Sequence, residues 1–246
     1  AMSQAVDGDT IQIAAGDYNE PVNVTKSLAL LGAGSGSLSA TATIIHGHQL
    51  AAPDASVVGV VPGATASLAN MRLQGGTATP GGGIANHGNL SLNNVFVTQN
   101  IAGVFPATLT SNGGGIFNDT GSNLSISNSV ITGNQALSGG GIYNLGTATV
   151  ISSTLSNNQV AWRGGGIFND VDGQAHITNG IIQNNQAIDG LGLPNQHRDG
   201  GGIANFGQMN VTGTVVSGNT ASGGINYNTG GGIFNTEQAH MRLDSV

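Results

Sequence analysis

The sequence has no cysteine, and only 7% of its 246 residues are charged. The absence of cysteine excludes disulfide bonds and cysteine-based metal sites. The five basic residues, Lys26, Arg72, Arg163, Arg198 and Arg242, are scattered along the chain, and the net charge is −7. Because phosphate binding relies on clustered Lys and Arg, no nucleic-acid partner is expected.

Long apolar runs are also missing. No run reaches the ~18 residues of a membrane-spanning helix, so no membrane insertion of this segment is expected. The chain has instead 42 glycines, together with abundant Asn, Ser, Thr, Val and Ile. These are turn and strand formers, and they predict an all-β structure.

A Gly-Gly-Gly-Ile-x-Asn motif occurs six times. Its isoleucines are Ile84, Ile116, Ile142, Ile167, Ile203 and Ile233. The shortest interval, from Ile142 to Ile167, is 25 residues, and a period of about 20–50 residues is typical of solenoids. The strand signals are too short for a self-sufficient hairpin domain, but they can pair with equivalent strands of neighbouring units. The sequence therefore predicts a single domain, a parallel β-helix, with right-handed coils.

Each unit closes with a further asparagine. The motif Asn and the closing Asn are 14, 16, 14, 16 and 14 residues apart in the units that end at Asn100, Asn134, Asn158, Asn185 and Asn219. We expect the motif isoleucines to stack as an interior ladder and the closing asparagines to form a hydrogen-bonded ladder. Most of the length variation lies just before each glycine triplet.

Residues 1–75 lack the triplet but fit the same architecture. Strands are predicted at residues 10–13, 22–24, 28–31, 43–45, 57–61 and 67–73, separated by turns such as Ala15-Gly16-Asp17. Together with the six repeat coils of residues 76–246, they give about eight or nine coils. We expect a remnant N-terminal cap, and a C-terminus truncated inside a unit, whose open end permits end-to-end association.

Two N-terminal stretches resemble the first coils of the pectin-lyase-like superfamily of right-handed β-helices: GDTIQIAAGDYNE at residues 8–20 and KSLALLG at residues 26–32. The later units resemble polymorphic outer-membrane-protein repeats. This resemblance covers essentially the whole chain. It implies a bacterial secreted or cell-surface protein. The regular ladder and the low content of charged residues favour a rigid stalk or adhesin-like surface for a polysaccharide or host ligand. The superfamily also contains polysaccharide lyases and glycoside hydrolases, so such an enzyme is the alternative.

The inserts before the triplets occupy one position in the unit, and such inserts often form a binding face. They are residues 102–112, 160–163, 187–199 and 220–229. Two are chemically rich, with Trp162 and Arg163 in one and His197, Arg198 and Asp199 in the next. If the chain is the alternative enzyme, its site is expected near these residues, and His197, Arg198 and Asp199 are candidate catalytic residues. An aromatic ring beside charged side chains that form hydrogen bonds is suited to binding a sugar. Alternatively, the arginines pair with Asp189 or Asp199 and only hold these segments in place.

The residue between Ile and Asn of the motif is aromatic in four units, at Phe117, Tyr143, Phe168 and Phe234. Strand alternation points the isoleucine inward and this ring outward. Three successive coils then carry an aromatic stripe. It is either a binding platform formed by Phe117, Tyr143 and Phe168, or an apolar cluster covered by the inserts.

Asp119 and Asp170, with Asp172 close to the second, are candidate catalytic carboxylates. Asp119 and Asp170 both follow a motif Asn and lie two coils apart, which predicts a separation of about 9.6 Å. This is at the upper edge of the range for inverting glycosidases, ~6.5–9.5 Å. The equivalent residues of other units, His87, Leu145 and Phe206, build no polar cleft, so a role in turns is favoured.

No cofactor or metal site is predicted. The calcium-binding pattern Gly-Gly-x-Gly-x-Asp does not occur, and the six histidines share no stacked position. The triplets are not phosphate loops either, because no Gly-Lys-Ser/Thr follows them.

Overall fold

The computed structural model describes residues 2–36, 40–47, 56–103, 111–188, 198–222 and 228–246. Within these ranges the chain is all-β, with short strands joined by turns and no helix. Each strand pairs in parallel with the equivalent strand of the next unit, and the strands form three sheets. This arrangement is consistent with a parallel β-helix, in which each unit lies on the one before it.

The eight-stranded sheet contains the motif Ile-x-Asn segments and two N-terminal counterparts. Its strands are Val22–Val24, Val58–Val60, Ile84–Asn86, Ile116–Asn118, Ile142–Asn144, Ile167–Asn169, Ile203–Asn205 and Ile233–Asn235. The register places the six motif isoleucines side by side. The predicted ladder is confirmed, and its first five members are fully buried in the main core. Burial of each such side chain contributes roughly 1.5–3 kcal/mol.

A larger, curled sheet follows in each unit. Its 15 strands are Thr10–Gln12, Gly16–Tyr18, Leu28–Leu31, Thr43–His46, Thr65–Gln74, Asn89–Thr98, Asn123–Ser127, Val130–Thr132, Thr147–Ile151, Thr154–Ser156, Gln174–Thr178, Ile181–Gln183, Gln208–Thr212, Val215–Ser217 and His240–Asp244. It bends at a corner where Asn70, Asn94, Asn128 and Asn179 adopt positive φ angles near 50°. Asparagine tolerates this left-handed conformation better than most residues.

The six-stranded sheet precedes the glycine triplets. Its strands are Gln135–Ser138, Gln159–Arg163, Gln186–Ile188, Arg198–Asp199, Thr220–Ser222 and Asn228–Thr229. This corrects one expectation: residues 160–163 do not project as an insert, because they lie within a paired strand. The ends of the other inserts are likewise paired, and their middle parts lie outside the described residues.

The N-terminal strand predictions hold with small shifts at the ends. Val22–Val24 and Leu28–Leu31 match their predicted ranges, and the others differ by at most two residues at either end. The turn predicted at Ala15-Gly16-Asp17 is wrong in part, because Gly16–Tyr18 is a strand. Its pairing with Thr43, Ile44 and Ile45 of the next unit outweighs the low strand preference of Gly and Asp.

Two turn lengths alternate between the eight-stranded sheet and the larger sheet. A two-residue turn follows Asn86, Asn144 and Asn205, and a four-residue turn follows Asn118, Asn169 and Asn235. This alternation accounts for the 14- and 16-residue spacings in the sequence. Long turns therefore recur every second unit, separated by short ones.

Two asparagine ladders run through the interior of the repeat units. The closing ladder was predicted: each Nδ2 donates to the Oδ1 of the next member over 2.9–3.0 Å, from Asn100 to Asn219. The second, which we call the motif ladder, was not predicted. It consists of Asn86, Asn118, Asn144, Asn169, Asn205 and Asn235, with donor–acceptor distances of 2.7–2.8 Å. Both ladders satisfy amides that would be costly to bury unpaired.

Candidate functional site

The outer surface of the eight-stranded sheet carries a column of aromatic rings. The ring centroids of Phe117 and Tyr143 are 5.7 Å apart, and those of Tyr143 and Phe168 are 5.0 Å apart. Such spacings are favourable for aromatic pairs. We define the aromatic column as Phe117, Tyr143, Phe168, Phe206 and Phe234.

The column continues past Ala204, where the motif position has no ring. Phe206, two residues later, places its ring centroid 5.1 Å from that of Phe168 and 5.8 Å from that of Phe234. A side chain in the following turn thus replaces the ring missing from the strand. Phe206 lies outside the position between Ile and Asn, so the motif alone does not predict it as part of the stripe.

The first three rings of the column do not form an exposed platform. Their relative exposures are 8% for Phe117, 9% for Tyr143 and 5% for Phe168. They belong to an apolar cluster, separate from the main core, that also includes Leu145 and Phe206. The rings are buried because neighbours one unit apart cover each other. Ligand binding by these three residues stays a prediction, whereas Phe206 and Phe234 remain partly exposed.

Arg163 joins the pre-triplet segment to the aromatic column. Its Cζ lies 4.7 Å from the ring centroid of Trp162 and 4.9 Å from that of Phe206. Its Nε donates to Oδ2 of Asp199 over 3.0 Å. The pre-triplet candidates and the aromatic column therefore meet at the guanidinium of Arg163, which contacts the carboxylate of Asp199 and the rings of Trp162 and Phe206.

Some of the candidate residues around Arg198 make contacts within the protein, and the others lie outside the described residues. Asp199 is buried, and its Oδ1 accepts a hydrogen bond from Thr229 Oγ1 at 2.5 Å while Oδ2 binds Arg163. Arg198 is fully buried in the six-stranded sheet. His197 and Asp189 lie outside the described residues. The structure supports the alternative in which Arg163 pairs with Asp199 and holds these segments in place. Both carboxylate oxygens of Asp199 have partners within the chain.

The carboxylates Asp119 and Asp170 occupy equivalent long turns, as predicted, and each has a partner in the preceding unit. Asp119 Oδ2 lies 2.6 Å from Nδ1 of His87, and Asp170 Oδ2 accepts a hydrogen bond from the hydroxyl of Tyr143 at 2.5 Å. The other oxygen of each accepts a backbone N–H from the next residue. These contacts stabilise the turns. Asp172 is exposed on the same turn as Asp170.

The phenol of Tyr143 is strongly affected by this packing. Burial raises the pKa of Tyr143 above its ordinary value, and the hydrogen bond to Asp170 and its negative charge raise that pKa further. The phenol therefore stays protonated and acts as a hydrogen-bond donor at neutral pH.

A saddle-shaped pocket of about 600 Å³ lies beside the C-terminal part of the column. Its lining includes Val171 of one long turn, Phe206 and Gly207 of the short turn, and Thr236 and Glu237 of the next long turn. The pocket therefore lies where a short turn has a long turn on either side, and we call it the saddle. The 14- and 16-residue spacings were the sequence signal that could have located it.

No group of three metal-ligating side chains is present among the described residues. In the same part of the chain, no helix has the length and apolar character needed to cross a membrane.

Comparisons with known proteins place the chain in no family. No protein-family model, no curated protein and no solved structure matches it.

Proposed function

We propose that this chain is a right-handed parallel β-helix of about eight or nine coils, related to the pectin-lyase-like superfamily and built from outer-membrane-protein-type repeats. It forms part of a bacterial secreted or cell-surface protein. There it acts as a rigid stalk with an adhesin-like surface for a polysaccharide or another cell-surface ligand.

The observation that carries this proposal is the pair of continuous asparagine ladders. Displacing one unit relative to the next breaks buried amide hydrogen bonds on two sides of the interior at once. Unpaired buried amides cost roughly 1–3 kcal/mol each, so the stack resists shear and local opening. Such resistance suits a segment that holds a binding surface away from its anchor.

The carbohydrate-active enzyme is the second candidate, because Asp119 and Asp170 occupy equivalent turns two units apart. Their four carboxylate oxygens are all engaged within the chain. A general acid or base would have to exchange one of these partners for substrate. The geometry therefore favours a binding surface over a hydrolytic site.

Hydrogen exchange tests the rigid stack. We expect the backbone amides of the six repeat units to exchange slowly and with similar opening free energies. Fast, independent opening of single interior units would contradict a stalk.

A panel of polysaccharides assayed for new reducing ends and for unsaturated products tests the enzyme alternative. We expect binding without turnover. Turnover that is lost in Asp119→Asn or Asp170→Asn, but kept in the exposed control Asp244→Asn, would overturn the proposal in favour of an enzyme.

A further inference from the structure

The saddle across Phe206 differs from the equivalent place two units earlier. There the short turn carries Leu145 instead of an aromatic ring, and the hydroxyl of Tyr143 binds Asp170 in the adjoining long turn. In the saddle, Phe206 and Phe234 offer partly exposed rings whose planes are inclined at 50°. The same repeat position thus holds an aliphatic contact in one place and an aromatic floor in the other.

The rim of the saddle is polar. Gln208, Thr236, Glu237 and His240 line it together with the exposed side chain of Val171. These groups can both donate and accept hydrogen bonds. The volume of about 600 Å³ falls within the range of small-ligand sites, ~300–1,000 Å³, which are typically apolar with a few polar groups that fix orientation.

The charges around the saddle restrict its ligand. Among the described residues that line it, Glu237 carries a charge and none is Lys or Arg. Arg163 lies against Phe206, but its Nε is engaged by Asp199. An anionic ligand would meet the like charge of Glu237, and a cationic ligand on the ring of Phe206 would be repelled by the guanidinium of Arg163.

We propose that the saddle binds one sugar unit of a neutral glycan. The apolar C–H face of a pyranose ring lies on Phe206 and Phe234, and its hydroxyl groups bond to Glu237, Gln208 and His240. This inference rests on the proposed function, for which it names the ligand class: uncharged glycans, in preference to uronic-acid polymers.

Affinity electrophoresis of the full chain in gels that contain dextran, galactomannan, polygalacturonate or chitosan tests the inference. We expect retardation by at least one neutral polysaccharide and little by the anionic one. Phe206→Leu, which copies Leu145, should weaken the neutral interaction about fivefold, because a ring contact is lost. The matched control Leu145→Ala should leave binding unchanged. Melting temperatures of both variants show that they remain folded.

Glu237→Gln provides a second, independent variant on an exposed side chain. It should raise retardation by polygalacturonate up to about threefold, since a like charge at the rim is removed. Equal binding by Phe206→Leu and wild type would overturn the saddle as the site. Preference for chitosan would overturn the neutral ligand, and so would the absence of retardation by every neutral polysaccharide. None of these outcomes affects the hydrogen-exchange test, so failure of the saddle and failure of the stalk are distinguishable.

Discussion

The N-terminal units and the repeat units use the same sheet register but fill it with different side chains. In the eight-stranded sheet, Val24 pairs with Val60, and Val60 pairs with Asn86, the first member of the motif ladder. The two valines are almost completely buried. One interior position is thus apolar in the first units and hydrogen-bonded in the later ones.

The closing ladder shows the same change. It begins at Asn100, whose Oδ1 accepts the backbone N–H of Gly76 at the equivalent position of the preceding unit. A side chain has no room there, because a Cβ on Gly76 would lie 1.9 Å from the carbonyl oxygen of Gly82. Parallel stacking therefore does not require asparagine. The ladders add directional bonds, which penalise any break in the series.

Breaking the motif ladder should have the largest effect. Asn144→Val gives a repeat unit the side chain of the N-terminal units. Asn169 Oδ1 then loses its donor, and Asn118 Nδ2 loses the acceptor Oδ1 of Asn144. We expect a loss of about 4 kcal/mol of unfolding free energy, measured by urea denaturation. The exposed control Asn23→Ala on the same sheet should change it by less than about 0.5 kcal/mol. A loss of that small size in Asn144→Val would show that the ladder contributes little.

The reverse substitution sharpens the comparison. Val24→Asn buries an amide opposite Val60, and we expect it to cost about 3 kcal/mol. Val60→Asn places the same amide beside Asn86, where its Nδ2 can donate to Oδ1 and extend the ladder. We expect it to cost about 2 kcal/mol less than Val24→Asn in parallel denaturation curves. Equal costs would mean that the ladder cannot be extended in this direction.

The two regions also differ in how they hold a partly buried arginine. Arg163→Ala leaves the buried carboxylate of Asp199 without its cation, and we expect a loss of about 2–3 kcal/mol. Arg72 in the N-terminal region lies 4.1 Å from the ring centroid of Phe96 and donates to the carbonyl oxygen of Gly36. Arg72→Ala should cost only about 1 kcal/mol. Thermal unfolding of both variants measures the difference, and a larger loss in Arg72→Ala would contradict it.

The smallest expected effect concerns Tyr143 and depends on pH. Its pKa is raised in the folded state, so its contribution is fully present below the unfolded value of about 10. Above that pH the unfolded phenol ionises first, and the contribution is lost. Tyr143→Phe should therefore cost about 1 kcal/mol near neutral pH. Its difference from wild type should narrow as the pH rises above about 10.

Tyr18→Phe is the N-terminal control for this titration. The hydroxyl of Tyr18 donates to the carbonyl oxygen of Ala14, four residues earlier in the chain. Because Tyr143 is intact in this variant, its stability should fall with alkaline pH in parallel with wild type. A parallel fall in Tyr143→Phe as well would assign the alkaline transition to another group.

Most of the fold could be predicted, because the repeat fixes the register. The isoleucine ladder, the closing ladder and strands such as Val22–Val24 follow from a period and from apolar alternation. The motif ladder was missed although its asparagines were counted. Alternation in Ile-x-Asn places the Asn on the same inner side as the Ile, so the motif itself contains the signal for this second ladder.

The candidate site was harder to predict, because side-chain contacts between units depend on more than register. The side chains of Phe117, Tyr143 and Phe168 point outward from the sheet, as predicted, but they are buried rather than exposed to solvent. Rings one unit apart are close enough to bury one another. Residues 160–163, predicted as an insert, lie in a strand because Gln159–Arg163 pairs with the equivalent strands of the units on both sides. Neither outcome is encoded in the spacing of a single unit.

The sequence by itself determined that this chain is a stack of parallel strands. A motif repeated about every 25–36 residues brings identical side chains into line, and identical neighbours satisfy each other's backbone and interior groups. Only the tertiary structure decided which outer side chains meet. Phe206 fills the place left by Ala204, Arg163 reaches the ring of Phe206, and alternating turns form a saddle. These contacts join different positions of neighbouring units, and their geometry depends on turn length and side-chain direction rather than on the period.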